Sequence, residues 1–368
     1  HYAYLFPPSE RGFASFPEFI PLQFLWRQGQ VGVSIFFVLS GFLITRIYFD
    51  KVAQGRASLR LFLVKRVARL WPLFLVFAVI QHGVMLARGV PPDAGWLVTM
   101  TMTQSFFSQL VFEGLPVAWS LTVEECFYLI GPVAFGLLAW ALRDRDPEPH
   151  RLTWPVFLRI VGMLLAITVV VVGAGVVIVK IVQAQGWNWR GFMGSNYHMH
   201  HSTIFGRFPE FAMGMVAAFV HRGVDLERLL RGWRATAATL GAFALITACM
   251  GSKDALDHAQ GFIPQLGTYA AAYGIALGSA LLILALSVDG GWVHRAMGWR
   301  LPVFLGKVSY GFYLIQLSVM MDPLVAFTDR LGWVRLPILI VLTTRVCAAF
   351  YRVVEVPARR AIVDRWAG

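Results

Sequence analysis

The sequence predicts an all-α fold, a polytopic bundle of about ten transmembrane helices in a single domain over residues 1–368. Three observations support this fold class. Hydrophobic residues make up 57% of the chain and charged residues only 14%, unlike the composition of a soluble domain. The apolar residues form stretches of roughly 17 to 25, the length at which a helix crosses the hydrocarbon layer. No stretch shows the ten-residue alternation typical of membrane β-strands, so the spans are predicted to be helices.

Nine apolar stretches are long enough to be transmembrane helices. Their predicted ranges are 30–48, 70–87, 116–141, 155–182, 204–221, 235–250, 266–288, 301–320 and 333–353. A shorter apolar run at the start of the chain ends before Pro7 and is too short to span a bilayer. We therefore expect the first of ten helices to be truncated, with His1 partway along it.

One further segment, 96–112 (WLVTMTMTQSFFSQLVF), is long enough to span but carries threonine, glutamine and serine throughout. If it does not cross, alternate loops hold most of the 32 Lys and Arg residues, as expected for the cytoplasmic side of a membrane protein. We therefore predict a re-entrant or interfacial segment here. The stretches 7–29, 88–115 and 183–203 would then face outward, with both termini in the cytoplasm.

The same orientation explains the net charge of +12, because the basic residues lie between apolar segments and do not form the single stripe expected of a nucleic-acid-binding protein. The three cysteines lie inside apolar runs and lack metal-type spacing. We expect Cys126, Cys249 and Cys347 to be free thiols.

The stretch KRVARLWP at 65–72 places Arg66 and Arg69 at the predicted cytoplasmic mouth of a helix that starts near Leu70. Residues three apart share a helical face, so both guanidinium groups would point the same way. Paired guanidinium groups suit phosphate, since arginine binds oxyanions through two parallel hydrogen bonds. The pair is either a phosphate site or the orienting charge that cytoplasmic helix ends commonly carry.

The stretch AWSLTVEECFYLIGP at 118–132 places two carboxylates, Glu124 and Glu125, in the outer part of a predicted span. Ionisable residues inside a membrane are costly and are therefore functional candidates. Alternatively, one of them is an interfacial residue or a charge favoured by the dipole at the start of the helix. Trp119 and Ser120 precede them, and Ser120 is a reasonable N-cap.

His1 is the third candidate. A histidine within a membrane helix needs a polar partner, and imidazole is the side chain best suited to move a proton near neutral pH. A buried histidine that is hydrogen-bonded for structure is the alternative.

Six motifs together are more specific than any one of them. They are GQVGVSIFFVLSGFLITRI (29–47), KRVARLWPLF (65–74), AWSLTVEECFYLIGP (118–132), FGRFPEFAMGMVAA (205–218), LGKVSYGFYLIQ (305–316) and VVEVPARR (353–360). In this order they resemble the membrane acyltransferase-3 family over nearly the whole chain. The resemblance implies a ten-helix bundle that transfers an acyl group, usually acetyl, from cytoplasmic acyl-CoA to a hydroxyl of a carbohydrate or glycan, commonly on the outer side.

The resemblance also implies residue roles. It matches the family's essential histidine to His1 and its glutamate to Glu124, so His1 would be a general base or an acyl carrier with Glu124 orienting or charge-balancing its imidazole. Arg66 and Arg69 match its R-x-x-R motif and would hold the phosphates of acyl-CoA.

Another matched motif, R-x-x-E-F, falls on Arg207 and Glu210. With Trp119 and Ser120 we take these residues as contacts of the acceptor. The family pattern S-Y-x-x-Y-L-x-H ends here in Gln316, which can hydrogen bond but does not transfer a proton as histidine would.

Three candidates rest on weaker signals. His198 lies in NYHMHHST (196–203), where a metal ligand, an acceptor contact or an ordinary polar loop are all open; the resemblance implies no metal. Ser40 and Gly41 indicate close helix packing or the path of the pantetheine arm. Tyr310 and Tyr313, three residues apart, either line the donor tunnel or pack in the core.

Two other classes of protein remain open. A multi-pass transporter would share the hydropathy and the buried ionisable residues, although transporters often carry internal repeats and none is visible. A non-catalytic component of glycan export would need the packing motifs but not His1 with Glu124. We expect the cytoplasmic membrane of a bacterium, with acyl-CoA, a glycan acceptor and the bilayer as partners, no nucleic acid, and a homo-oligomer left open.

Overall fold

The computed structural model describes residues 31–143, 152–257, 262–288 and 291–366. Within these ranges the chain is helical and contains no β-strand, which confirms the all-α prediction. His1 lies outside the described residues, as does the rest of the predicted first helix. That helix stays a prediction.

The described ranges contain fifteen α-helices. They are α1 (Val31–Ala53), α2 (Leu59–Ala87), α3 (Ala94–Met100), α4 (Ala118–Leu142), α5 (Trp154–Gln185), α6 (Asn196–Ser202), α7 (Ile204–Gly223), α8 (Leu226–Leu229), α9 (Trp233–Asp257), α10 (Phe262–Leu286), α11 (Trp292–Met297), α12 (Arg300–Ile315), α13 (Met321–Thr328), α14 (Arg335–Phe350) and α15 (Val356–Trp366). A π-helical turn, Tyr351–Glu355, joins α14 to α15.

Eight helical segments of the described ranges are long and apolar enough to cross a membrane. They are Val31–Ala53, Leu59–Ala87, Ala118–Leu142, Trp154–Gln185, Asn196–Gly223, Trp233–Lys253, Leu266–Leu286 and Arg335–Trp366. The protein is therefore a polytopic integral membrane protein. The predicted continuous span 301–320 is wrong, because α12 has 16 residues and ends at Ile315, short of the roughly 20 that a crossing helix needs.

The segment 96–112 does not form a spanning helix, as predicted. Asp93 caps α3 by accepting a hydrogen bond from the Gly95 amide at 2.9 Å. The turns that follow are closed by the buried side chain of Gln104, whose Nε2 donates to the carbonyl oxygens of Val111 and Leu115 at 3.0 Å each. One amide side chain thus satisfies backbone oxygens that no helix would pair.

The helix α2 begins eleven residues before the predicted start near Leu70. Ser58 caps it, with its Oγ accepting a hydrogen bond from the Leu61 amide at 3.2 Å. Hydropathy marks only the part of a helix that lies in hydrocarbon, whereas this cap adds turns that carry charge. Arg66 and Arg69 therefore lie within the helix itself.

At the crossing of α1 and α7 only glycine fits. A Cβ atom on Gly41 would lie 2.2 Å from the carbonyl oxygen of Phe211, and one on Gly214 would lie 2.0 Å from that of Val38. Small residues let membrane helices approach in this way. For Gly41 the structure thus supports the packing interpretation.

An aromatic stack extends this contact to α4. The Phe211 ring lies between those of Phe37 and Phe127, with centroid distances of 4.7 and 4.2 Å. All three rings are fully buried. The helices α1, α4 and α7 therefore form a rigid core, and this core carries the candidate site.

Candidate active site

Glu124 is a buried carboxylate on α4, with 3% of its surface exposed. Ser40 of α1 donates a hydrogen bond to Glu124 Oε1 at 3.1 Å, and the Tyr128 hydroxyl donates to the same oxygen. Glu124 Oε2 has no hydrogen-bond partner among the described residues. A buried polar atom left unpaired costs about 1–3 kcal/mol, so this oxygen is suited to accept a hydrogen bond from a further donor.

Arg66 is held by aromatic rings. Its guanidinium carbon lies 5.4 Å from the ring centroid of Phe62 and 5.5 Å from those of Tyr48 and Tyr128. Tyr128 is also the residue that donates to Glu124, so one side chain contacts both the guanidinium and the carboxylate. Cation–π contacts fix the position of the arginine without consuming its hydrogen-bond donors.

Arg69 and Tyr310 extend this cluster. Arg69 is exposed, one turn from Arg66 on α2, and the charges of both arginines act on the Glu124 carboxylate. The Tyr310 hydroxyl donates to the carbonyl oxygen of Leu70 at 2.8 Å, beside Arg69. We call Ser40, Arg66, Arg69, Glu124, Tyr128 and Tyr310 the Glu124 centre.

Arg207 belongs to a second buried polar cluster, at the start of α7. Its Nη1 lies 3.3 Å from Glu210 Oε1, and its Nη2 donates to Ser34 Oγ at 3.3 Å. Ser34 in turn donates to Glu210 Oε1 at 3.0 Å. We call these three residues the Arg207 centre.

The guanidinium of the Arg207 centre also lies between two aromatic rings, 5.4 Å from the centroid of Phe37 and 5.9 Å from that of Trp119. Glu210 is 2% exposed. Neither Arg207 Nε nor Glu210 Oε2 has a hydrogen-bond partner within the described ranges. The centre thus keeps one buried donor and one buried acceptor for another molecule or segment.

A row of polar side chains on α4 leads from one centre towards the other. Ser120, Glu124 and Tyr128 are four residues apart, so they share a face and are spaced by about 6 Å along the axis. The row begins beside Trp119 and ends at the ring that holds Arg66.

Ser120 is not the N-cap that the sequence predicts. The N-cap position is Val117, and Ser120 lies within the first turn of α4. Its hydroxyl lies 2.6 Å from the Tyr313 hydroxyl and donates to the Val117 carbonyl oxygen at 3.1 Å. The Ser120 side chain therefore pairs with Tyr313 of α12 and does not cap α4.

Two predicted candidates stand apart. His198 is buried on α6, where its backbone amide bonds to the Ser195 hydroxyl at 3.1 Å. Within the described residues it contacts neither centre. Glu125 receives a hydrogen bond from Trp71 Nε1 at 2.6 Å and so has a structural partner of its own. His1 lies outside the described residues.

Sequence reasoning missed Tyr128 and Ser34. The spacing of four residues between Ser120, Glu124 and Tyr128 was the available signal for Tyr128. Nothing local marks Ser34, since its partners Arg207 and Glu210 lie on another helix.

A cavity of about 790 Å³ lies elsewhere, between the end of α4 and the start of α5. It is lined by Trp140, Ala141, Arg143, Arg159, Gly162, Met163 and Ala166, none of which belongs to either centre. The part of the chain that the structure describes contains no group of three or more His, Cys, Asp or Glu side chains that could hold a metal ion. Its three cysteines are free, as predicted.

The sequence is similar to proteins of known family. Residues 1–352 match the family described as "Acyltransferase domain". The chain is 24% identical over 364 residues to the peptidoglycan O-acetyltransferase OatA of Listeria monocytogenes, covering 92% of the chain and 53% of that protein. It is 23% identical over 361 residues to the O-acetyltransferase OatA of Staphylococcus aureus, covering 90% and 53%. The chain spans about half the length of the curated relatives it matches. No solved structure gives a significant match.

Proposed function

Because the chain belongs to the acyltransferase-3 family, which it matches over residues 1–352, we propose that it is a membrane O-acyltransferase. It moves an acyl group, acetyl by analogy with the two relatives, from acyl-CoA to a hydroxyl of a carbohydrate or glycan. One observation carries the proposal: the Arg66 guanidinium contacts the ring of Tyr128, and the Tyr128 hydroxyl donates to the buried Glu124 carboxylate. Arg66 forms no ion pair within the described ranges.

Arg66 and Arg69 bind the phosphates of the donor. The rings around Arg66 hold it in place, and its hydrogen-bond donors suit a phosphate, which takes two parallel bonds from arginine. The pantetheine arm then passes Tyr310 and Ser40 towards Glu124. The arginines mark the cytoplasmic side of the cytoplasmic membrane, with both termini on that side.

His1 and Glu124 carry out the chemistry. The imidazole takes the proton of the acceptor hydroxyl, whose oxygen attacks the thioester carbonyl carbon, and the departing thiolate receives that proton. Glu124 Oε2, which lacks a partner among the described residues, accepts a hydrogen bond from the other imidazole nitrogen. Transfer through an acyl-histidine uses the same two residues.

The Arg207 centre binds the acceptor, together with Trp119 and Ser120. A sugar hydroxyl both donates and accepts a hydrogen bond. The unpaired Arg207 Nε and Glu210 Oε2 supply a donor and an acceptor that match it. The aromatic ring of Trp119, half-buried beside them, offers an apolar surface for the face of a sugar ring.

Nanodiscs test the function because both faces of the protein are accessible in them. We expect the chain to bind acetyl-CoA with micromolar affinity in titration calorimetry and to transfer labelled acetyl groups to peptidoglycan fragments. His1→Ala should lower the rate of transfer by about 10²–10⁴-fold, the usual contribution of a general base, while donor affinity stays within about threefold. Lack of acetyl-CoA binding by the unaltered chain would overturn the enzyme proposal and favour a transporter.

A further inference from the structure

Two hydroxyl groups lie between the centres. Ser120 is one helical turn before Glu124 on the same face of α4, about 6 Å away along the axis. Its neighbour Trp119 contacts Arg207, whose guanidinium lies 5.9 Å from the indole centroid. The partner of Ser120 is the Tyr313 hydroxyl at 2.6 Å.

Tyr313 comes from the helix that also reaches the donor side. It is three residues after Tyr310 on α12, and Tyr310 is bonded to α2 beside Arg69. A donor that extends from Arg69 along α12 and an acceptor held by Arg207 would therefore meet near the Tyr313 hydroxyl.

The hydrogen bonds of this pair can rearrange. The Tyr313 hydroxyl lies 3.0 Å from the Val117 carbonyl oxygen and 2.6 Å from Ser120 Oγ, which itself lies 3.1 Å from Val117. Two protons serve three contacts, so at any time one contact has no proton and the bonds can exchange. When Ser120 donates to the phenol oxygen, the phenol proton can leave the Val117 carbonyl and turn towards a ligand, and the bond from Ser120 strengthens it as a donor.

We propose that the Tyr313 hydroxyl is the oxyanion donor of the acyl transfer, a role that rests on the proposed function. As the acceptor oxygen bonds to the thioester carbon, the carbonyl π electrons move to its oxygen, and this oxyanion accepts the hydrogen bond of Tyr313. The oxyanion collapses, the carbon–sulfur bond breaks, and the thiolate takes up the proton that His1 removed from the acceptor. Tyr313 keeps its own proton throughout. Donors of this kind act on charge that develops only in the transition state.

The test is Tyr313→Phe, measured in nanodiscs with acetyl-CoA and peptidoglycan fragments. We expect kcat to fall by about 10²–10³-fold, with acetyl-CoA affinity within about twofold of the unaltered chain. Tyr351→Phe is the matched control, because Tyr351 lies in the π-helical turn after α14 and belongs to neither centre. A kcat within threefold of the unaltered chain would overturn the role of Tyr313.

A second substitution guards against a folding defect. Incorporation of 3-fluorotyrosine at position 313 keeps the shape and the hydroxyl but makes the phenol more acidic, which should raise kcat by about twofold. An unchanged kcat would contradict the proposal even if Tyr313→Phe fails to fold. Should the unaltered chain itself not transfer acetyl, the proposed function fails, and the result is then distinct from a failure at Tyr313.

Discussion

The Glu124 centre and the Arg207 centre pair the same two charged groups in different ways. In the Arg207 centre the guanidinium lies 3.3 Å from the carboxylate and the two charges largely neutralise each other. In the Glu124 centre Tyr128 stands between them, contacting Arg66 with its ring and Glu124 with its hydroxyl. Both centres keep a carboxylate oxygen without a partner in the described ranges.

The difference shows which arginine keeps its charge available for a ligand. A buried arginine that pairs directly with a carboxylate is neutralised and can only offer directed hydrogen bonds, as a sugar needs. An arginine held by rings keeps its full charge for an external anion such as phosphate. The intervening tyrosine therefore separates a donor site from an acceptor site that would otherwise look alike.

The largest expected effect is on the rate of the reaction. Glu124→Gln removes the charge that balances the imidazolium and should lower kcat by about 10²–10⁴-fold, with donor affinity nearly unchanged. The matched control is Glu125→Gln, since Glu125 is bonded to Trp71 and belongs to neither centre. If Glu124→Gln retained activity within about tenfold, roughly 1.4 kcal/mol of barrier, the catalytic assignment would be wrong.

The next largest effect is on the free energy of unfolding, and it tests the direct ion pair of the Arg207 centre. Arg207→Ala leaves Glu210 buried without its cation and should lower the free energy of unfolding by about 3–5 kcal/mol, read from denaturation in detergent. Arg222→Ala is the control, because its pair with Asp50 at 2.6 Å is partly exposed and contributes less than about 1 kcal/mol. Equal losses for the two variants would remove the distinction between a buried and a surface pair.

The smallest effect sharpens the donor side of the comparison. Arg66→Ala combined with Arg69→Ala should weaken acetyl-CoA binding by about 10–100-fold, which corresponds to the roughly 1.5–3 kcal/mol of one charged hydrogen bond to phosphate, because Arg69 is exposed and solvent screens its contribution. Titration calorimetry measures this change. Arg46→Ala, which removes a guanidinium stacked on the single ring of Phe42, is the control and should leave donor affinity unaltered. An unchanged affinity in the double variant would refute the phosphate site.

The sequence predicted the features that depend on residues close together in the chain. Hydropathy predicted the helical bundle, and the distribution of Lys and Arg between alternate loops excluded 96–112 as a span. Hydropathy did not predict the early start of α2 or the end of α12 at Ile315. The cap at Ser58 and the turn after Ile315 change the mean hydropathy of the surrounding residues very little.

For the site, the sequence pointed to charged residues one by one but not to their partners. Glu124 and Arg207 are unusual in an apolar chain and attract notice, whereas Ser34 and Tyr128 are recognised only by the contacts that they make in the fold. Which hydroxyl faces which carboxylate depends on the rotation of each helix, and the close approach at Gly41 and Gly214 sets that rotation.

Ser34 and Ser40, one serving each carboxylate, are six positions apart on α1, about 9 Å of helix rise. Loss or gain of one residue between them would swing one serine about 100° around the axis relative to the other. No nearby loop could absorb the shift, since the stretch is uninterrupted helix locked against α7. Natural variation in length should therefore be tolerated on either side of 34–40 but not inside it.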